Sequence, residues 1–137
     1  MKYSFALITG LMLLGVLISC SENQIQDNEQ AVQVQFDIWG SFAGSRIDVT
    51  INDQGLLNTT LTTQVPFAGP MLVVTTDLDV GIHHLTIKWR PVDTPSATYE
   101  ESYTFETEDQ VLNYYIGLSC DGSNLIVVVQ SEPFAYL

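Results

Sequence analysis

The chain has very few positively charged side chains. Its 137 residues include 4 Lys and Arg but 16 Asp and Glu, which gives a formal net charge of −12 at pH 7. Nucleic-acid binding depends largely on Lys and Arg that displace counterions from phosphates, and docking on anionic headgroups needs basic clusters. The composition therefore argues against a nucleic-acid partner and against binding to lipid through charge alone.

Cysteine and histidine are also scarce, with two residues of each kind: Cys20, Cys120, His83 and His84. Neighbouring side chains on a strand point to opposite faces, so His83 and His84 cannot bind one ion together in regular geometry. Cys120 shares the parity of apolar neighbours, which predicts a small buried hydrophobe without a disulfide partner. We expect no metal centre and no cofactor.

No apolar run is long enough to cross a membrane. Residues 5–18 form the longest one, behind Lys2, and a spanning helix needs about 20 apolar residues. The shorter length suits the apolar region of a signal peptide. The run ends at a cysteine, and the polar residues that follow, 21–31, predict a flexible tether of roughly 20 Å root-mean-square length.

The sequence Leu17-Ile18-Ser19-Cys20 resembles the lipobox of bacterial lipoproteins, in which an aliphatic, an unconstrained and a small residue precede cysteine. The resemblance implies that residues 1–19 are a cleaved signal peptide and that the Cys20 thiol carries a diacylglyceryl group. Two acyl chains are enough for stable anchoring. Ser21, in place of the Asp that retains enterobacterial lipoproteins at the inner membrane, implies the outer membrane, with a periplasmic or an external orientation left open.

From Val32 onward the apolar residues alternate with polar ones, which is typical of half-buried strands. The clearest examples are "VQVQFDI" (32–38), "RIDVTI" (46–51) and "IHHLTIKWR" (82–90). Turn residues separate the strands at 52–55, 77–81 and 121–124. About eight strands and no helical period predict an all-β fold, an antiparallel β-sandwich over residues 32–137.

Within that sandwich class two arrangements fit. The pattern Leu78-x-x-Gly81-x-His83-x-Leu85-x-Ile87 resembles the turn and strand of bacterial immunoglobulin-like modules, and a jelly roll fits the strand count equally well. The segment "LIVVV" (125–129) is apolar on both faces. We expect it to be central in its sheet or covered by the tail at 133–137, because a bare apolar edge invites aggregation.

Patterns typical of catalysis are weak. "GLSCDG" (117–122) differs from the G-x-S-x-G elbow of serine hydrolases and precedes a predicted strand instead of a helix. Asp77 with Asp79, or Asp121 with Asn124, could bind Ca²⁺ together with a backbone carbonyl. The interpretation as turn residues that bond their own backbone is favoured for both pairs. We therefore predict that the protein is not an enzyme.

Two aromatic residues break the inward pattern of their strands. Trp39 shares the parity of Gln35 and Asp37, and Tyr115 points away from Tyr114 and its apolar neighbours. An exposed ring can stack on a sugar or a protein partner. The sequence thus predicts a lipid-anchored binding or accessory module of the cell envelope, with Trp39 and Tyr115 as ligand-binding residues and a glycan or envelope protein as partner. The alternative is a carbohydrate-binding module of a polysaccharide-handling system, with or without calcium, and a small hydrolase ranks third.

Overall fold

The computed structural model describes residues 31–64 and 68–135, and Cys20 with the predicted signal peptide lies outside them. Within these residues a short 3-10 helix, Gly40–Phe42, follows the first of eight strands. The strands are β1 (Ala31–Ile38), β2 (Ser45–Ile51), β3 (Gln54–Thr60), β4 (Leu72–Asp79), β5 (Gly81–Pro91), β6 (Tyr99–Thr107), β7 (Asn113–Asp121) and β8 (Asn124–Gln130). No helix in the described part of the chain has the length and apolarity to cross a membrane.

The strands form two four-stranded sheets that pack face to face. Sheet I has the order β4-β1-β7-β8, and sheet II has the order β3-β2-β5-β6. The pairing is antiparallel throughout, except that β1 and β7 run parallel. The predicted all-β sandwich is thus confirmed, and its two layers are consistent with both the immunoglobulin-like and the jelly-roll forms that the sequence favoured.

The core lies between the sheets and consists of the alternate apolar residues that the sequence singled out. Val49, at the centre of β2, is 1% exposed, and Ile116 of β7 is fully buried. Complete burial of one such side chain contributes roughly 1.5–3 kcal/mol. Because a slip of one residue would turn each of these side chains to solvent, the alternation also fixes the register of the strands.

Two hairpin turns follow the predicted chemistry. Asn52 and Asp53 connect β2 to β3 and both have positive φ, 50° and 64°, as a two-residue turn between antiparallel strands prefers. Gly122, with φ 62°, begins the turn between β7 and β8. Here glycine is needed because a side chain at this φ would be strained.

The turn predicted at residues 77–81 is shorter in the structure. Strand β4 continues to Asp79, and only Val80 separates it from β5. The strand persists because β1 supplies a pairing partner there, with Asp77 opposite Gln33. The chain then passes from sheet I to sheet II through Gly81, whose φ of 141° is accessible to glycine. The prediction of Asp77 and Asp79 as turn residues is therefore wrong.

The placement of "LIVVV" also differs from expectation, since β8 is an edge strand of sheet I and not a central one. Its inward residues pack against the core, whereas Ile126 and Val128 on the outer face are 45% and 46% exposed. The tail approaches the neighbouring strand instead, where Phe134 lies over Gly117 of β7. Inward packing of alternate residues thus holds this apolar strand at an edge.

Candidate functional site

The predicted ligand-binding aromatics, Trp39 and Tyr115, both lie on the outer face of sheet I. Tyr115 is flanked by Gln35 of β1 and Gln130 of β8. Trp39 directly follows β1, and its backbone N–H donates to the carbonyl of Leu118 at 2.9 Å. The parity inferred from the sequence is therefore correct for both residues.

The two rings are half-buried, not fully exposed. Phe134 of the tail meets Trp39 edge-on, with 6.0 Å between ring centroids and 86° between planes. Gly117 lies next to the rings of Phe134 and Trp39. A Cβ at this position would lie 2.9 Å from Phe134 Cζ and 3.0 Å from Trp39 Nε1. Glycine is thus required for the close approach of the tail. The ligand-binding role of Trp39 and Tyr115 stays a prediction.

Asp37 is the residue of this face that sequence reasoning missed. It has the parity of polar neighbours, yet its side chain is completely buried. Gln35 Nε2 donates to Asp37 Oδ1 at 2.8 Å, and the residue pairs across the strands with Gly117, over which Phe134 lies. Among the described residues no buried side-chain nitrogen or oxygen lacks a hydrogen-bond partner, so burial of this carboxylate is compensated.

The two histidines separate as predicted, with His83 buried and His84 exposed. Asn52 Oδ1 accepts from the His84 backbone N–H at 2.9 Å, so its Nδ2 is the group that faces His83 Nδ1 at 3.1 Å. Nδ1 therefore accepts, and Nε2 donates to the carbonyl of Asp79 at 2.9 Å. Both ring nitrogens therefore have hydrogen-bond partners, so His83 serves to tie β5 to the β2–β3 turn and to β4.

The segment "GLSCDG" has the geometry expected from the sequence. Ser119 and Cys120 lie within β7, and the chain then turns at Gly122 directly into β8. A hydrolase elbow instead places its serine on a sharp turn between a strand and a helix. Asp121 and Asn124 pair with each other across the strands at the base of this hairpin.

A basic groove lies on the outer face of sheet II. Arg46 of β2 is directly opposite Arg90 of β5, and Asp48 is opposite Lys88 in the next row. Arg46, Lys88 and Arg90 are all the Lys and Arg residues of the chain apart from Lys2. The groove has a volume of about 240 Å³. The polar and charged residues that line it are Arg46, Asp48, Asn58, Lys88, Arg90 and Thr98.

The cations of the basic groove differ in their partners. Lys88 Nζ lies 3.2 Å from Glu100 Oε2, and Arg46 Nη2 donates to the neutral Asn58 Oδ1 at 3.0 Å. The Arg90 side chain makes no hydrogen bond or ion pair with the described residues. The two facing arginines therefore have no carboxylate partner in the described part of the chain.

Strand alternation alone places Lys88 and Arg90 on one face, but it does not reveal the groove. Arg46 is more than forty residues away in sequence and joins them only through the pairing of β2 with β5. One feature of the sequence could have indicated a basic cluster: three of the four basic residues fall on two predicted strands.

Comparison with known proteins adds no assignment. No family model matches the chain, and no curated protein or solved structure is significantly similar to it. Within residues 31–64 and 68–135, no group of three or more His, Cys, Asp or Glu side chains is placed to hold a metal ion.

Proposed function

We propose that the protein is a lipid-anchored, non-enzymatic binding module of the bacterial cell envelope and that it holds an anionic ligand in the basic groove. The observation that carries the proposal is the facing pair Arg46 and Arg90, without a carboxylate partner among the described residues. The chain contains sixteen Asp and Glu residues, so two facing arginines without such a partner are unexpected.

Like charges face each other in the basic groove. Two cations directly opposite each other on neighbouring strands destabilise a sheet, and a carboxylate beside them would remove that cost. Among the described residues Glu100 supplies a carboxylate to Lys88, but no carboxylate pairs with the arginines. An anionic ligand would relieve the repulsion and accept charge-assisted hydrogen bonds, which are about twice as strong as neutral ones.

The lipid anchor follows from the lipobox-like sequence that ends at Cys20. Two acyl chains on that residue would hold the chain at the membrane, and Ser21 supports the outer membrane. The predicted tether 21–31, whose last residue Ala31 belongs to β1, would then let the sandwich reach a ligand near the bilayer, on the periplasmic or the external side.

The second candidate function is a carbohydrate-binding module that uses the outer face of sheet I. It is favoured by the common face of Trp39 and Tyr115, whose positions along the sheet differ by four residues, about 13 Å. Phe134 covers part of Trp39, so a sugar would have to stack on the remaining surface or displace the tail. This covering makes the basic groove the stronger candidate.

The proposal is tested by titrating the full-length protein, purified in detergent, with polygalacturonate, dextran sulfate and polyphosphate, and with neutral dextran as control. We expect at least one polyanion to bind, more weakly as salt rises because exposed charges are screened, and dextran not to bind. The double variant Arg46→Gln/Arg90→Gln should lose this binding. If no polyanion binds, or if the double variant binds as well as the parent, the basic groove is not the ligand site.

A further inference from the structure

We infer that the basic groove recognises a carboxylate group on an acidic glycan, with Arg46 and Arg90 binding the carboxylate and neighbouring polar side chains binding the sugar hydroxyls. This inference rests on the proposed function and specifies its ligand. It concerns a different face of the sandwich from Trp39 and Tyr115, which lie on sheet I.

The charge of the groove matches a single negative charge. Arg46, Lys88 and Arg90 carry three positive charges, and Asp48 and Glu100 carry two negative ones. The remainder is one positive charge, which one carboxylate neutralises. A phosphate monoester carries nearly two negative charges at neutral pH and would leave the groove negative, beside the Asp48 carboxylate.

The available donors are also suited to a carboxylate. Phosphate sites commonly use backbone N–H groups at a helix N-terminus or in a loop. The floor of this groove is the paired ladder of β3, β2 and β5, whose amides take part in the sheet. The donors are therefore side chains, and the planar guanidinium of arginine fits the two oxygens of a carboxylate.

The other side chains favour a sugar over an acidic peptide. Asn58 and Thr98 offer neutral polar groups, and the Asp48 carboxylate can accept hydrogen bonds from the hydroxyls that a sugar carries and an acidic side chain lacks. The apolar residues at the groove, Ile47 and Trp89, are each only 2% exposed because they point into the core. Neither of these two residues therefore offers an apolar side chain to a peptide.

The dimensions fit part of a longer chain. The groove extends from Asn58 on β3 across β2 and β5 to Thr98 beside β6, a width of about 14 Å at the usual strand spacing. Its volume of about 240 Å³ lies below the roughly 300–1,000 Å³ of pockets that enclose a whole drug-sized ligand. The groove is therefore suited to one charged sugar unit and its immediate neighbours.

The test uses calorimetric titration of the full-length protein with short oligomers of galacturonate, glucuronate-containing hyaluronan and alginate. We expect at least one to bind, and its carboxyl methyl ester to bind about tenfold more weakly, since a charge-assisted hydrogen bond is lost. Arg46→Gln and Arg90→Gln should each weaken binding to a similar extent. Arg90→Lys, which keeps the charge without the planar fork, should recover only part of the affinity.

The matched control is Thr75→Glu, on the exposed outer face of sheet I. It changes the net charge by the same amount as Arg90→Gln but lies far from the groove, so it should leave the affinity within about twofold at physiological salt, where separated surface charges are screened. Thermal unfolding of every variant identifies any that fails to fold. Arg90→Lys, with unchanged charge, then provides the independent comparison.

Each opposing result would overturn a different part of this proposal. If dextran sulfate or polyphosphate binds through the arginines and none of the three uronate oligomers does, the ligand is another anion and only the proposed function survives. Equal binding of acid and methyl ester would exclude carboxylate recognition. Tighter binding of polyglutamate than of all the uronates would replace the glycan with an acidic peptide, and equal losses in Thr75→Glu and Arg90→Gln would reduce the effect to overall charge.

Discussion

The Cys120 thiol is held in its protonated form by its surroundings. Burial is the largest cause and raises the pKa of the thiol, the Ser41 side chain lowers it by a smaller amount through a hydrogen bond, and the Asp121 carboxylate makes the smallest contribution and raises it. The thiol donates to the Ser41 carbonyl at 3.3 Å, and the Cys120 backbone N–H donates to Ser41 Oγ at 2.8 Å. The residue is half-buried and packs against the core, in partial agreement with the buried position predicted.

A pH dependence of stability follows from this shift. Because the folded state holds the thiol proton more tightly than the unfolded state, Cys120 contributes stability that is fully present below the ordinary thiol pKa, about 8.5. This contribution is lost as pH rises through the higher folded pKa. We therefore expect urea midpoints of the parent to fall more between pH 8 and pH 10 than those of Cys120→Ala. Identical pH profiles of the two proteins would contradict this.

Individual residues also mark the limit of prediction from sequence. Alternation along a strand was enough to place His83 inside and His84 outside, and to identify Val49 as core. It failed for Asp37, which has polar parity and is nevertheless fully buried. Phe134, almost a hundred residues later, lies over Gly117, the residue that pairs with Asp37 on the neighbouring strand. A local pattern carries no information about such a distant contact.

At the scale of elements, the tail acts as a cover fixed to the outer face of sheet I. Removing the Phe134 ring should expose part of Trp39 and the surroundings of Gly117. Complete truncation of a core aromatic costs about 3–5 kcal/mol, and these rings are half-buried. We expect Phe134→Ala to lower the free energy of unfolding by about 2 kcal/mol, and Ile82→Ala, at a site 63% exposed, to have little effect in the same urea titration.

A double-mutant comparison separates the tail contact from general destabilisation. Gly117→Ala places a Cβ 2.9 Å from Phe134 Cζ and should displace the ring, with a loss similar to that of Phe134→Ala. In the double variant the two losses should add only in part, because the clash with Phe134 disappears with the ring while the 3.0 Å contact with Trp39 Nε1 remains. Full additivity would mean that the tail does not rest on Gly117, and an unchanged stability of Phe134→Ala would mean that it does not cover this face.

Pairing between elements explains what else the sequence could not reveal. Strand boundaries and inward faces follow from residues close in sequence, as for β1, β2 and β5. The parallel pairing of β1 with β7 and the register that sets Arg46 opposite Arg90 are long-range facts. The aromatic candidates could be proposed from local parity, whereas the basic groove depends on three strands coming together.

For the whole molecule, the important feature is an uneven distribution of charge. The formal net charge is −12, yet the basic residues of the described chain lie together on sheet II. Anionic ligands would therefore be repelled from most of the surface and admitted at one face, a contrast that favours specificity over affinity. Lipid on Cys20 would keep this acidic domain beside the membrane without a cationic docking surface.

The proposed lipid anchor depends on the thiol of a single residue, Cys20. A serine hydroxyl cannot replace the thiolate that accepts the lipid, so Cys20→Ser should abolish incorporation of labelled palmitate and move the protein from the membrane fraction to the soluble one. Cys120→Ser is the matched control, because it removes the other cysteine of the chain and should leave labelling intact. Two acyl chains are required for stable attachment, so loss of this one residue should be sufficient. Label or membrane attachment retained by Cys20→Ser would exclude the lipoprotein hypothesis. Loss of label in Cys120→Ser alone would show that Cys120, and not Cys20, carries the lipid.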